Sequence, residues 1–451
     1  MKDLTKGNIY KTFILFAIPL VLTGILTMAY SIINTVIAGK FLGEEGLAAV
    51  GATSAFITLI SSVGWGFSSG YSMYVAKLFG SKDYKGIKSS IYCNFSIFLI
   101  ISILISCTTL IFRNEIYDFL RIDKSILESA GIYFFIHMAG WSLILFNTLG
   151  AFTLNAFGIS NFPFTMSLLS TVLNIVGSIV FIVMFDWGVS GIATSTVLSA
   201  AVVDIFYIIK IKQCFKEMKV DIYKVEMDFE SIKQSFRYSL PVTVQQTVMY
   251  ISSMIISVFI NGLGSAATAG YSVVSKIYSL NANIYQNSAK TVSNYTAQSL
   301  GANKPQNLQK GVKIGFVQGV LFVLPVLLIC IFFSHEVCSA FFPEGYTGIS
   351  LTYSVNFSKY FLPFIIFNVI NNLFHAFYRG VASMKVLIIS TALGSVSNLV
   401  FSVILVKYYG LYGIFAGWIL SWIVEAIFTI IVYLSKKWKT SEIKELEKTT
   451  K

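Results

Sequence analysis

The run from Ser129 to Phe185 most constrains this chain: 57 residues pass without one Asp, Glu, Lys or Arg. A water-facing fold needs charge at far shorter intervals, whereas roughly 20 apolar residues cross a bilayer as a helix. The run is too long for one crossing, and Gly158-Ile159-Ser160-Asn161-Phe162-Pro163 divides it into two. Charge-poor runs recur at Thr12–Gly39, Gly46–Ala76, Ser89–Phe112, Trp187–Ile209, Tyr238–Asn261, Tyr271–Gln298, Ile314–Ser334, Thr352–Tyr378, Val386–Val406 and Leu411–Leu434. Lipid offers the backbone no hydrogen-bond partners, so every run is predicted to be a helix. The reading is an all-α polytopic membrane protein with twelve transmembrane helices. Composition agrees, with 12% charged residues against about 25% in soluble domains. The first run is followed by no small-x-small cleavage site, so it is read as a retained helix rather than a signal peptide.

Charge placement sets the expected orientation. The short connections on the side of the two termini hold 25 Lys and Arg, the opposite side holds Lys40, Arg113, Arg121, Lys124 and Lys407, and three lysines lie inside spans. Basic residues concentrate on the cytoplasmic side, so both termini are expected there, in a bacterial plasma membrane. The same placement accounts for the net charge of +12 without a nucleic-acid partner. Five cysteines show no metal spacing, and no P-loop or Ser/His/Asp set is visible, so neither an enzyme, a metal nor a cofactor is expected.

The halves repeat. At an offset of 221, Leu42-Gly43 matches Leu263-Gly264, Phe146-Asn147 matches Phe367-Asn368, and Asp204 matches Glu425; at 222, Pro19 matches Pro241 and Gly191-Ile192 matches Gly413-Ile414. Two six-helix lobes are expected, 1–212 and 232–435, with a cytoplasmic linker 213–231 and a tail 436–451. An even number of spans per lobe implies a pseudo-twofold axis along the membrane normal and a cavity between the lobes, the architecture of a rocking transporter.

Polar groups inside spans are functional candidates, because a charged side chain there costs about 2.5–3.5 kcal/mol on insertion scales. Glu425, near the middle of its span, is the leading ion-coupling residue, and Asp204 is the second. Lys276, Ser279, Asn283, Asn287, Lys290 and Asn294 form a stripe at helical spacing, and Asn368, Asn371, Asn372 and His375 form another. Both stripes, with Gln245, Gln246, Asn34 and Asn174, are predicted to line the substrate cavity. Lys359, near a helix end, is expected to snorkel. Pro19 and Pro241 are expected to bend the first helix of each lobe, and Pro325 to mark a kink.

Ile18-Pro19-Leu20, Asn34-Thr35-x-x-x-Gly39-x-x-Leu42-Gly43, Leu47-Ala48-Ala49-Val50-Gly51, Leu240-Pro241-x-x-x-Gln245-Gln246 and Ala297-Gln298-Ser299-Leu300-Gly301-Ala302 together resemble the multidrug and toxic compound extrusion (MATE) family over the whole chain. The resemblance implies a two-lobed secondary antiporter that exports organic compounds by alternating access in exchange for protons or sodium ions. A monomer, a small-molecule substrate and the lipid bilayer are the implied partners. Two positions depart from the family pattern. Asn34 stands where many members have an aspartate, and Ser178 stands four residues after the retained Asn174, again in place of an aspartate. Proton coupling must then come from elsewhere, and Glu425 matches a glutamate seen in one bacterial branch. The embedded lysines pull the expected substrate towards anionic or zwitterionic solutes, and the family pulls it towards cations. The alternative reading is a lipid-linked oligosaccharide or anionic-solute flippase of the same superfamily; a membrane-embedded enzyme or passive channel fits the repeat less well.

This topology is testable by labelling single cysteines with an impermeant thiol reagent in intact cells. Positions 44–45 and 336–345 are expected to react and positions 216–228 to be protected. Strong labelling of the latter overturns the twelve-span arrangement.

Overall fold

The computed structural model describes residues 1–120, 122–221 and 228–449. Arg121, residues 222–227 of the expected linker, and the last two residues of the tail lie outside the described residues. Among the described residues the chain is helical, without a strand. The first part comprises α1 (Ile9–Ser81), α2 (Tyr84–Ile111), the short α3 (Arg113–Phe119), α4 (Leu127–Ala139), α5 (Trp141–Ala156), α6 (Asn161–Val183) and α7 (Val189–Glu217). The second comprises α8 (Phe229–Asn261), α9 (Ser265–Gly301), α10 (Gln306–Phe332), α11 (Ser334–Ser339), α12 (Ile349–Asn356), α13 (Ile365–Gly380), α14 (Met384–Tyr409), α15 (Leu411–Leu434) and the tail helix α16 (Ser441–Thr449).

Twelve crossings follow from these elements. Nine described helices are long and apolar enough to span a bilayer. One of them, α1, is two helices end to end, because Gly43 has φ 69° and ψ −161°. The pair α4 and α5, bent by 48°, makes a further crossing. The last is α9, whose 37 residues are amply long and whose polar stripe lowers its hydropathy. Large apolar side chains such as Leu104, Val258, Phe332 and Leu434 are exposed, as a lipid-facing surface requires.

The break Gly158–Pro163 falls where the sequence places it, between α5 and α6. Two further breaks interrupt runs read from the sequence as unbroken helices. One is at Gly140, where a Cβ would lie 2.2 Å from Val197 Cγ2, so α7 packs against a bare backbone. The other lies between α12 and α13, where Phe357–Phe361 is π-helical and Leu362–Phe364, containing Pro363, is a 3₁₀ turn. Proline removes one backbone donor and clashes with the preceding turn, which accounts for this second break. Pro19, Pro241 and Pro325 all lie within continuous helices.

The chain packs as two compact units. The first contains Met1–Asp3 and Leu26–Thr243; the second contains Leu4–Ile25 and Val244–Lys451. Each unit therefore includes the opening segment of the other repeat's first helix. In the first unit, Asp228 immediately precedes α8 and accepts from Glu230 N and from the Ser231 backbone and hydroxyl; these bonds hold its carboxyl below the usual carboxylate range. The opening of α8 then lies backbone to backbone on α1. A Cβ on Gly70 would sit 2.5 Å from both Ser239 Cα and the Tyr238 carbonyl oxygen, and one on Gly66 2.6 Å from Thr243 Cα. In the second unit Gly24 plays the same part, with a notional Cβ 2.3 Å from Asn287 Nδ2 on α9.

Because the contact at Gly70 is with backbone, no rotamer change relieves it. Gly70→Val is expected to destabilise the protein by about 1–3 kcal/mol, seen as a lowered apparent melting temperature in detergent. An unchanged melting temperature shows that α8 does not pack there.

Candidate functional site

The second unit buries a carboxyl. Glu425 lies in the middle of the apolar helix α15, on the face it shares with Trp418 and Trp422. Trp418, Trp422 and Glu425 are spaced by four and three, so α-helical geometry alone aligns them. Three helices meet on the carboxylate. From α13, Asn371 Nδ2 donates to Glu425 Oε2 at 3.2 Å and to the Trp422 carbonyl at 3.0 Å. One turn later on α13, His375 Nε2 lies 3.0 Å from Glu425 Oε1. From α8, Gln245 Nε2 lies 3.2 Å from His375 Nδ1. From α14, Gly394 leaves the space in which the carboxylate sits: a Cβ there would be 2.6 Å from Glu425 Oε2. Asn371 is fully buried, and Gln245, His375 and Glu425 are each less than 10% exposed.

A cavity of about 130 Å³ opens on this group, space for several waters. Its walls include Tyr271, Tyr278, Trp418 and Trp422, and its polar lining includes Asn368, Asn372, His375 and Glu425. Tyr278 stacks on Trp422 with ring centroids 5.8 Å apart and planes at 11°. The Tyr278 hydroxyl accepts from Asn368 Nδ2 at 2.8 Å and pairs with the Tyr285 hydroxyl at 3.2 Å. A carboxyl, an imidazole and aromatic faces around one cavity can bind a proton or a cation and pack a flat apolar solute.

Comparison with known proteins decides the family. The MatE family profile matches residues 19–180 and 241–404, one stretch in each repeat. The chain belongs to the MATE family. It is a membrane transporter and not an enzyme. It is 25% identical over 350 residues to the probable multidrug resistance protein YoeA of Bacillus subtilis, covering 76% of both chains. It is 25% identical over 272 residues to the multidrug export protein MepA of Staphylococcus saprophyticus, covering 59% of each. A solved structure described as the outward-facing conformation of a multidrug resistance MATE family transporter of the MOP superfamily superimposes with a TM-score of 0.88 at 22% identity, over 99% of this chain and 98% of that one. A second, a Pyrococcus furiosus transporter whose description reports a binding pocket of reversed polarity, superimposes with a TM-score of 0.88 at 21% identity, over the same shares of each chain.

The other residues singled out from the sequence of this MATE transporter fall into separate places. The α9 stripe hydrogen-bonds along its own helix: Asn283 Nδ2 donates to the Ser279 carbonyl, Asn287 Nδ2 to the Asn283 carbonyl, Lys290 Nζ to Asn287 Oδ1 and Asn294 Nδ2 to the Lys290 carbonyl, all at 2.8–2.9 Å. Lys276 is exposed, and neither it nor Lys290 lines the cavity. Gln246 is half-buried, outside the cavity wall. In the first unit, Asn174 Nδ2 donates to Thr196 Oγ1 at 2.9 Å, and the Tyr30 hydroxyl lies 3.4 Å from the same oxygen. Asn34 Oδ1, Asn174 Oδ1 and Ser178 Oγ are buried there without a partner, an uncharged polar cluster. Asp204 is buried in α7 with neither carboxyl oxygen hydrogen-bonded. Sequence reasoning missed Tyr278, Trp418, Trp422 and Gly394. The shared face of α15 was readable from spacing, whereas the need for a glycine on α14 was not.

Gly394→Ala places a methyl group against Glu425 Oε2 and is expected to abolish transport while leaving expression and membrane insertion intact. Efflux measured in cells against the amount of protein in the membrane checks this. Efflux at the wild-type level means the carboxylate does not depend on that space.

Proposed function

We propose that this MATE transporter exports small organic compounds, in the manner of multidrug efflux, from the bacterial cytoplasm in exchange for protons. Alternating access would carry the exchange, with both termini cytoplasmic as the basic connections imply. The observation that carries the reading is the Glu425 carboxylate, buried against His375 at 3.0 Å and open to an aromatic-walled cavity. Burial without a permanent counter-ion makes a carboxylate responsive to whichever cation enters. Protons are favoured over sodium because both carboxylate oxygens already face nitrogen atoms, of Asn371 and His375. The names of the relatives in Bacillus and Staphylococcus point to multidrug export.

The cavity also bears on the substrate. Its lining contains Glu425 and four large aromatic rings but no lysine or arginine. One unit charge 4 Å away is worth about 4 kcal/mol at an effective dielectric of 20, enough to set a charge preference. The lysines that pull the sequence reading towards anions lie outside this lining. A cationic or neutral aromatic solute fits better than an anion, and the flippase alternative loses its main support. Asp204 is the second coupling candidate, as a buried carboxyl in the corresponding helix of the first repeat.

Efflux from proteoliposomes under an imposed pH or sodium gradient tests the proposal. The pH gradient is expected to drive ethidium export, and the sodium gradient alone is not. Glu425→Gln should fall to passive leak while retaining part of the ethidium binding, and Asp204→Asn should be impaired less. Wild-type transport in both variants overturns the assignment.

A further inference from the structure

His375 and Gln245 add something that a lone carboxyl does not have. We infer that His375 is the atom-level carrier of the coupling proton: it holds the proton as an imidazolium neutralised by Glu425, and Gln245 registers it by turning its amide. The inference rests on the reading of Glu425 given above and refines it.

The geometry defines two states. In the present arrangement the Gln245 amide nitrogen faces His375 Nδ1 at 3.2 Å. An amide N–H can only donate, so in this orientation a neutral imidazole accepts at Nδ1 and carries its ring hydrogen on Nε2, which lies 3.0 Å from Glu425 Oε1 as an ion-pair contact. That is a neutral imidazole beside a carboxylate, with net charge −1. The remaining amide atom, Gln245 Oε1, is buried and has no partner. A buried amide oxygen left unsatisfied costs free energy. When a proton binds Nδ1, one N–H bond forms, none breaks, and the pair becomes neutral overall. Nδ1 is then a donor, and a half-turn of the Gln245 amide brings its unsatisfied oxygen to it. Each protonation state thus has one matching orientation of Gln245.

The surroundings leave His375 and Glu425 as the exchanging pair. From α15 the titratable group is Glu425. From α9 it is Tyr278, tied to Asn368 and Tyr285, with Lys290 held by Asn287. From α13 itself it is Arg379, one turn on and buried. The cavity-lining residues of α8 and α14 are uncharged. At net charge −1 the pair can be neutralised by one proton or by one monovalent organic cation in the cavity, but not favourably by both. This makes the two competitors and gives one-for-one exchange.

The chain has three histidines, so 15N-histidine labelling of the full protein in detergent gives a spectrum in which each imidazole is resolvable, with His375→Gln assigning its signal. Without ligand, acidification is expected to convert the His375 signal from the neutral Nε2–H form to imidazolium. Saturating ethidium at that acid pH should return it to neutral and release about one proton per ethidium bound, as one-for-one exchange requires. Gln245→Leu, which retains the pair but cannot follow Nδ1, should weaken this interconversion and leave the other two histidine signals unmoved. A His375 signal that stays neutral on acidification, or an imidazolium that ethidium does not reverse, overturns the inference. If Glu425→Gln loses gradient-driven efflux while His375 never titrates, the dyad is wrong and the exporter reading stands. If Glu425→Gln transports normally, the exporter's coupling assignment fails first.

Discussion

A carboxyl group in the middle of an apolar helix is the constraint on which the second unit depends. An isolated charge in that position costs about 2.5–3.5 kcal/mol on insertion scales, and hydrogen bonds to charged groups return about 1.5–3 kcal/mol each. Glu425 is tolerable because α13 supplies Asn371 and His375, α8 supplies Gln245 behind the histidine, and α14 supplies no side chain at all at Gly394. Asn371 and His375 on the polar face of α13 have a physical reason once the carboxyl is in place. The same packing leaves a cavity rather than a filled core, since Tyr278, Trp418 and Trp422 are too large and too rigid to collapse onto the polar group.

The two repeats answer this constraint differently. The positions matching Asn371 and His375 at the offset of 221 are Gly150 and Leu154. Asp204, which matches Glu425, accordingly has no hydrogen-bonding partner on either oxygen. The polar cluster around Asn34, Asn174 and Thr196 lies elsewhere in the first unit and carries no charge. A carboxyl stands at the matching position of both repeats, and only in the second do neighbouring side chains hold it. The two buried carboxyls therefore sit in chemically different surroundings.

Both repeats also break their fourth crossing at the same place. Gly140 at the bend between α4 and α5 corresponds, at the offset of 221, to Phe361 in the π-helical turn before α13. The causes differ: a bare backbone pressed by Val197 in one, a wide turn followed by Pro363 in the other. The outcome is the same. The helix after the break is free to choose its own rotation, independent of the segment before it. In the second unit that freedom aims Asn371 and His375 at α15. Interrupted helices at matching positions of two repeats are a recurring feature of transporter sites.

The membrane class, the number of crossings, the repeat and the candidate polar residues are legible in the chain alone. Each follows from local composition: bilayer thickness sets the length of an apolar run, and an embedded charge announces itself without neighbours. The sequence also flagged Glu425, Gln245, Asn371 and His375, one by one. That these four form one group while Asn283, Asn287 and Lys290 bond along their own helix emerges only from the fold. The exchange of opening helical segments between units, the break at Gly140 and the demand for glycine at 394 were equally out of reach. They depend on contacts between residues more than a hundred positions apart or on the space a neighbour occupies. Periodicity along one helix reports which face is polar, and it carries no record of what that face meets.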